Sequence, residues 1–129
     1  MTLWDNFSDG EKVGLDSSVF IYYFNRQEPY FQHCLQLVRR IESGQLRGVI
    51  STVSEMEILV EPLAQRRLQL VNDIEDLLRR LAGLDVVPVD RVLARRAAEL
   101  RAQTRLRSLD AMVAATALVA GCRYLVGND

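Results

Sequence analysis

The sequence predicts an α/β protein with a mostly parallel sheet that is covered by helices on both faces. Four short apolar runs alternate with longer segments in which apolar residues recur every three to four positions. Nearly unbroken apolar runs are typical of parallel strands buried on both faces, and their alternation with helices is typical of α/β folds. The 129 residues suit one domain, which we expect to span 13–129 after a loose leader at 1–12.

The first predicted unit is a strand followed at once by a helix. VGLD (13–16) is an apolar run that ends at an acid. Ser17 and Ser18 are expected to cap a helix that continues to about Phe24, because serine is favoured at the N-cap.

A second helix and strand follow. Apolar residues recur every three to four positions through 30–43, and Gly44 is expected to end that helix. GVIS (48–51) predicts the second strand. TVSEMEILVEPL (52–63) reads as a helix, which Pro62 either interrupts or separates from the next one.

The remaining elements keep the same alternation. A clean apolar stripe predicts a helix over 66–82, and DVVPV (85–89) predicts the third strand. Asp90 is expected to cap the helix that follows, and Ser108 to cap a helix of small residues. The chain then closes with that helix and a fourth strand, at 108–121 and 123–129.

The composition, 49% hydrophobic and 26% charged, is that of a soluble globular protein. No apolar run is long enough to span a bilayer and the first dozen residues do not resemble a signal peptide, so we expect a cytoplasmic protein. The single histidine, His33, argues against a His-based zinc site and against a Ser-His-Asp triad. The net charge of −1 does not by itself indicate a nucleic-acid partner.

Four acids are placed so that they can meet near the carboxyl edge of the predicted sheet, where doubly wound folds bind ligands. Asp16 ends the first strand, Asp129 follows the last, and Glu57 and Asp110 lie early in helices. The first three have largely apolar neighbours, and carboxylates gathered in such surroundings are costly and repel each other. Mg²⁺ or Mn²⁺ resolves that conflict because it takes oxygen ligands, and it can also activate water for attack on a phosphodiester.

Each acid also has a simpler interpretation. Asp16 can serve as a helix N-cap, Glu57 can lie on a solvated helix face, and Asp110 can complement a helix dipole. Glu61 lies four residues after Glu57 and shares its helix face, so it is an alternative or auxiliary ligand.

Four segments together resemble the PIN-domain ribonucleases, most closely the VapC-type toxins of bacterial toxin–antitoxin pairs. In order, they are LDSSVFI, ISTVSEMEIL, SLDAMVAATAL and YLVGND. The resemblance implies a three-layer α/β/α sandwich, a Mg²⁺- or Mn²⁺-dependent endoribonuclease, a homodimer and a small inhibitory antitoxin. Its catalytic, metal-binding acids would be Asp16, Glu57, Asp110 and Asp129, with Ser17 as the small hydroxyl residue beside the first of them.

The chain departs from the pattern of this family at three places. Glu61-Pro62 stands where the family often has a glycine shortly after the motif glutamate. Gly127 stands where a hydroxyl residue is common. The sequence ends at Asp129, where relatives usually continue, so we expect the usual C-terminal elements to be missing.

Segment 91–107 carries six arginines and one acid. Such a segment is either a solvated helix face or an edge that follows the phosphates of single-stranded RNA. Arg105 and Arg107 are the predicted RNA contacts because they precede Asp110, whereas the solvated face is favoured for Arg95 and Arg96.

Other functions are weighed against the nuclease. A non-catalytic RNA- or protein-binding module with a degenerate site is one alternative, and a housekeeping PIN nuclease is another. A phosphoaspartate hydrolase is disfavoured because it needs a second aspartate where Ser18 stands. A receiver domain is disfavoured because it needs a downstream lysine, and the only lysine, Lys12, precedes Asp16.

Overall fold

The computed structural model describes residues 7–127. Within that range the strands form one parallel sheet in the order β3-β2-β1-β4. The strands are β1 (Lys12–Leu15), β2 (Arg47–Ser51), β3 (Leu84–Val87) and β4 (Tyr124–Val126). The helices are α1 (Ser17–Asn25), α2 (Phe31–Glu42), α3 (Thr52–Ala64), α4 (Leu68–Arg80), α5 (Arg91–Gln103) and α6 (Ser108–Val119).

Helices cover both faces of the sheet, so the predicted α/β/α sandwich is confirmed. Val13, Leu15 and Ile50 are buried in one core together with residues of α1 to α4. Val49 points to the opposite face, where it packs with Ala117 of α6. Adjacent strand residues are therefore both buried, which is why the strands read as unbroken apolar runs.

Helix α6 packs unusually close to the central strand. A Cβ built on Gly14 would lie 2.8 Å from the Cβ of Ala117, so only glycine fits at this point of β1. The small residues of α6 allow this approach, and α6 packs on α5 through one leucine and three alanines (Leu93, Ala97, Ala111 and Ala115). This packing brings the start of α6 to the carboxyl edge of the sheet.

The connection between β3 and β4 places a crevice beside β1. The chain builds outward from β1 through β2 to β3 and then returns to the other side of β1 as β4. Where the connections of two neighbouring strands lead to opposite sides of the sheet, an opening is left beyond the carboxyl ends of the strands. Open α/β sheets bind their ligands in such openings. The backbone N–H of Asp16 donates to the Val126 carbonyl at 2.9 Å, so the two strand ends are held together at this opening.

Predicted helix caps are only partly confirmed. Asp90 caps α5 by accepting from the Leu93 N–H at 2.9 Å, as expected. The cap of α1 is Asp16, not Ser17 or Ser18, because its carboxylate reaches the orphan N–H of Ser18. Ser108 does not cap α6, whose N-cap position is Arg107 without a side-chain hydrogen bond.

Element boundaries otherwise differ from the prediction by a few residues. Pro62 neither interrupts α3 nor begins a new helix; it lies in the last turn, and the helix ends at Ala64. No helix within residues 7–127 is both long and apolar enough to cross a membrane. The predicted leader at 1–12 lies half outside the described range and stays a prediction.

Candidate functional site

Asp16 stands at the end of β1 with its carboxylate fixed by the first turn of α1. Its Oδ1 accepts hydrogen bonds from the Ser18 backbone N–H at 2.8 Å and from the Ser18 hydroxyl at 2.5 Å. Oδ2 makes no hydrogen bond to any residue in 7–127 and is therefore the oxygen left for a ligand. Asp16 is half-buried, and the two bonds to Oδ1 fix the carboxylate at the edge of the sheet.

Glu57 lies in the second turn of α3, which begins directly after β2. Burial raises the pKa of Glu57 above its ordinary value of 4.5, while a hydrogen bond with the Ser17 side chain lowers it in part. The carboxylates of Asp16 and Asp110 raise the pKa further. Glu57 therefore lies close enough to both aspartates for its charge to be disfavoured by theirs.

Asp110 occupies the first turn of α6 and is exposed. The loop that leads to it is tied to the end of α5 by Arg101. The guanidinium of Arg101 donates to the Leu106 carbonyl at 3.1 Å and to the Ser108 hydroxyl at 3.0 Å. Asp110 is thus positioned by the packing of its helix and by an exposed loop, and not directly by a strand end.

The three acids line one cavity of about 380 Å³ at the carboxyl edge of the sheet. Ser17 and Ser18 also line it, and its remaining walls come from the α5–α6 loop, α6 and the end of β4. Among residues 7–127, however, no three His, Cys, Asp or Glu side chains are close enough together to hold one metal ion. The three acids line the same cavity, but their carboxylates do not converge on one position.

The fourth predicted acid, Asp129, lies outside the described residues. The alternative ligand, Glu61, does not line the cavity of the three acids. It accepts a hydrogen bond from Gln65 at 3.0 Å and lines a separate cavity of about 60 Å³ between α1, α3 and α4, which also reaches Glu57.

The arginines of 91–107 fall into two groups. Arg95 and Arg96 both pair with Glu99, at 3.7 Å and 3.2 Å, as expected of a solvated helix face. Arg105 and Arg107 are exposed beside the cavity, and neither pairs with another residue in the described part of the chain.

Sequence reasoning missed three residues that shape the site. Ser18 was assigned only a possible capping role, although an acid followed two residues later by serine is the spacing of a local turn closed by the acid. We call the hydrogen bonds of Arg101 to Leu106 and Ser108 the Arg101 brace. No sequence pattern predicts this brace, because an exposed arginine in an arginine-rich segment gives no indication of its partner. Gly127, noted only as a departure from the family pattern, lies against the Asp16 carboxylate.

Solved structures with this fold include bacterial toxins. VapC20 from Mycobacterium tuberculosis, a sarcin-ricin loop cleaving toxin, is similar with a TM-score of 0.71 and 16% identity, over 91% of this chain and 89% of that one. A toxin–antitoxin complex from Klebsiella pneumoniae is similar with a TM-score of 0.68 and 19% identity, over 90% of this chain and 86% of that one. DNA-bound VapBC from Salmonella typhimurium is similar with a TM-score of 0.64 and 23% identity, over 87% of this chain and 83% of that one. At these identities the likeness establishes the shared fold.

No curated protein sequence is similar enough to this chain to count as a match. A family model, by contrast, matches from the start of β1 onward. Its description is PIN domain, and it covers residues 13–129, which include all four predicted acids. With the α/β/α fold and the acid-lined cavity at the switch point of the sheet, this match shows that the chain belongs to the PIN domain family.

Proposed function

We propose that this chain is a Mg²⁺- or Mn²⁺-dependent endoribonuclease and the toxin of a type II toxin–antitoxin pair. The observation that carries the proposal is the shared cavity of Asp16, Glu57 and Asp110, in which burial and, to a smaller extent, the two aspartates raise the pKa of Glu57. A divalent cation relieves repulsion of this kind. Membership in the PIN domain family supports the same activity.

The donor set suits a hard cation. The polar side chains that line the cavity are carboxylates and serine hydroxyls, and oxygen donors are those that Mg²⁺ and Mn²⁺ prefer. Because the three acids within 7–127 do not converge on one point, the proposal needs a further donor. We assign that role to Asp129 and to waters, several of which Mg²⁺ usually keeps.

A cation held there would neutralise charge on the phosphodiester and make water a better nucleophile. The side chains of the protein then have separate roles in the proposal. Asp16 presents Oδ2 because Ser18 holds Oδ1. Glu57, whose pKa is raised, is the carboxylate best suited to accept a proton from the attacking water, and Ser17 orients it.

Arg105 and Arg107 are the proposed contacts to the RNA backbone. They flank Leu106, which lines the cavity, so a strand bound across the three acids would meet their guanidinium groups. Contacts of this kind to phosphates position the strand without reading its sequence. We place the reaction in the cytoplasm.

An antitoxin and a second copy of the chain are the proposed protein partners. The antitoxin is inferred from the similar structures, two of which are toxin–antitoxin complexes. A homodimer would bury the exposed apolar stripe of α3, where Met56, Val60 and Leu63 are 47%, 57% and 51% exposed. Sedimentation of wild type and Val60→Arg tests this contact, and identical masses would reject it.

The nuclease is tested by cleavage of defined single-stranded and structured RNAs with Mg²⁺, Mn²⁺ or EDTA. We expect cleavage that depends on the metal and is lost in Asp16→Asn. Asp73→Asn is the matched control, because Asp73 lies on the exposed face of α4. Cleavage in EDTA, or an active Asp16→Asn variant, would reject the mechanism.

The toxin role has a separate test. Expression is expected to arrest growth, and co-expression of the adjacent reading frame is expected to restore it. A chain that cuts RNA without affecting growth would instead be a housekeeping nuclease.

A non-catalytic binding module is the second candidate. The observation that favours it is the lack of three metal-ligating side chains close together within 7–127. Titration with Mn²⁺ discriminates, because a binding module would show no uptake that depends on Asp16 and Glu57.

A further inference from the structure

Gly127, the residue that follows β4, lies directly against the carboxylate of Asp16. A Cβ built on Gly127 would overlap this carboxylate, most closely at Oδ2, and would lie 2.6 Å from Cγ and 3.0 Å from Oδ1. The backbone of Gly127 does not have a positive φ, unlike that of Gly10, Gly44 and Gly121, around which there is open space. The need for glycine at 127 is therefore a matter of space beside Asp16 and not of backbone conformation.

Neither partner can retreat without losing a hydrogen bond. The end of β4 is held because the Val126 carbonyl accepts from the Asp16 N–H at 2.9 Å. The carboxylate is held because its Oδ1 accepts from the N–H and the hydroxyl of Ser18. Bonds to a carboxylate are among the stronger hydrogen bonds in proteins, so a side chain at 127 would displace Asp16 only at the cost of its helix cap.

We propose that Gly127 is a positioning residue for Asp16. The missing side chain leaves room for a carboxylate that gives Oδ1 to Ser18 and keeps Oδ2 available in the cavity. The steric relation stands on the geometry alone, whereas its consequence for metal binding and cleavage rests on the proposed function.

The proposal gives an expectation opposite to that of the family pattern. A hydroxyl residue is common in the family at this position, so Gly127→Ser brings the chain closer to its relatives. Serine nevertheless carries the same Cβ as alanine, and that Cβ meets the same carboxylate. We therefore expect Gly127→Ser to weaken the site rather than improve it.

A double-mutant cycle tests the steric relation without RNA or metal. Gly127→Ala is combined with Asp16→Ala, which removes the three carboxylate atoms that the new Cβ would overlap. We expect Gly127→Ala to lower the unfolding midpoint in the wild-type background and to have little further effect in the Asp16→Ala background. An equal loss in both backgrounds would overturn the proposal, since it would show an effect of alanine on the strand end alone.

Hydrogen exchange of the Ser18 amide reports the displacement directly. In Gly127→Ala we expect exchange at Ser18 to accelerate roughly tenfold, the change that follows the loss of about one such hydrogen bond. Exchange at Cys34 in α2 is expected to remain unchanged and serves as the internal control. Unchanged exchange at Ser18 would overturn the proposal. If Gly127→Ala does not fold, a folded Asp16→Ala/Gly127→Ala variant would support it and an unfolded one would overturn it.

Mn²⁺ titration and steady-state kinetics test the functional consequence. We expect Gly127→Ala and Gly127→Ser to bind Mn²⁺ roughly tenfold more weakly, with kcat lowered and KM for RNA little changed, because RNA contacts are elsewhere. Variants with wild-type Mn²⁺ affinity and kcat would overturn this part. A wild-type chain that neither binds Mn²⁺ nor cleaves RNA would reject the proposed function, while the cycle and the exchange at Ser18 would still decide the role of Gly127.

Discussion

The two sides of the acid cavity are built in different ways. On the β1 side, Asp16 follows a buried strand, is half-buried, and has its carboxylate fixed by two hydrogen bonds from Ser18. On the α6 side, Asp110 is exposed, and its helix begins at Arg107 without a side-chain cap. The first side is fixed at a strand end, whereas the second depends on the packing of α6 and on an exposed loop, so the polar contacts of the second side are more open to solvent.

On the second side, where α6 has no side-chain cap, the start of the helix is held by the Arg101 guanidinium. It bonds both Leu106, which lines the cavity, and Ser108, which begins α6. Thr104 adds a further tie, since its hydroxyl donates to the Leu100 carbonyl at 2.7 Å and accepts from the Leu106 N–H at 3.2 Å. An exposed loop held by a few polar bonds is easier to disturb than a strand end, and this difference orders the expected effects of substitution.

The largest effect is expected at Asp16, on the anchored side. Asp16→Asn and Asp16→Ala are both expected to lower kcat by more than about 100-fold, since the loss of a ligand should exceed the 10- to 100-fold typical of outer-shell groups. They should differ in stability. Asparagine is a good N-cap and alanine is not, so only Asp16→Ala should lose about 1 kcal/mol of unfolding free energy.

Cleavage kinetics and urea unfolding, measured for both variants, distinguish the role of Asp16 as a metal ligand from its role as a helix cap. If Asp16→Asn were as unstable as Asp16→Ala, the capping role of the carboxylate would be wrong. If both kept wild-type kcat, Asp16 would be a cap and nothing more.

Arg101→Ala, on the loop side of the cavity, is expected to cause a smaller loss of activity. Removal of the guanidinium frees Leu106 and Ser108, so Asp110 is held less firmly and kcat/KM should fall roughly tenfold, by analogy with outer-shell residues. Arg101→Lys should give an intermediate loss because an ammonium lacks the planar fork that reaches both acceptors. Arg95→Ala, which breaks only the surface pair with Glu99, is the matched control and should leave kcat/KM unchanged.

An Arg101→Ala variant with wild-type kcat/KM would show that the loop keeps its shape without the brace. The two sides of the cavity would then be equally firm, and the comparison would fail.

The sequence predicted the anchored side of the site better than the loop side, for a physical reason. Apolar runs identify buried strands, and in a parallel sheet the ends of such strands meet at one edge, so Asp16 could be placed from its position at the end of VGLD.

The loop side depends on contacts that leave no pattern in the sequence. The partners of Arg101 are set by the conformation of an exposed turn, and exposed polar contacts have neither periodicity nor burial to reveal them. Local geometry was also decisive at Asp16. The cap was assigned to Ser17 or Ser18 because both serine and aspartate are good N-caps, and composition alone cannot choose between neighbouring candidates.

The proposed roles of Arg105 and Arg107 on the loop side are tested through the affinity for RNA. Because they lie on the loop side and contact phosphates in the proposed complex, Arg105→Ala and Arg107→Ala should each raise KM a few-fold and leave kcat nearly unchanged. The slope of log affinity against log salt should fall by about one for each arginine removed. Arg79→Ala on α4, which pairs with Asp76, is the control and should leave both quantities unaltered. A change in kcat without a change in KM would contradict this role.

The smallest effect on stability is expected at Glu57, which lies close to the acids of both sides of the cavity. Its pKa in the folded chain is raised above 4.5 by burial and by Asp16 and Asp110. A carboxyl group with a raised folded pKa stabilises the fold below its unfolded pKa, and this contribution is lost as pH rises through the folded pKa. In EDTA, Glu57→Gln should therefore match the wild type near pH 4 and become the more stable of the two toward pH 7.

Mn²⁺ should reverse that order at pH 7. Binding stabilises the folded state in proportion to affinity, and Glu57→Gln removes one of the proposed ligands, so the wild type should gain more in unfolding midpoint. Glu75→Gln, on the exposed face of α4, is the matched control for the metal effect and should gain as much from Mn²⁺ as the wild type. Thermal unfolding of the three proteins at several pH values, with EDTA or Mn²⁺, measures both effects. A Glu57→Gln variant no more stable than wild type at pH 7 in EDTA would mean that neither burial nor the carboxylates of Asp16 and Asp110 disfavour the charge of Glu57, and the two sides of the cavity would then be independent.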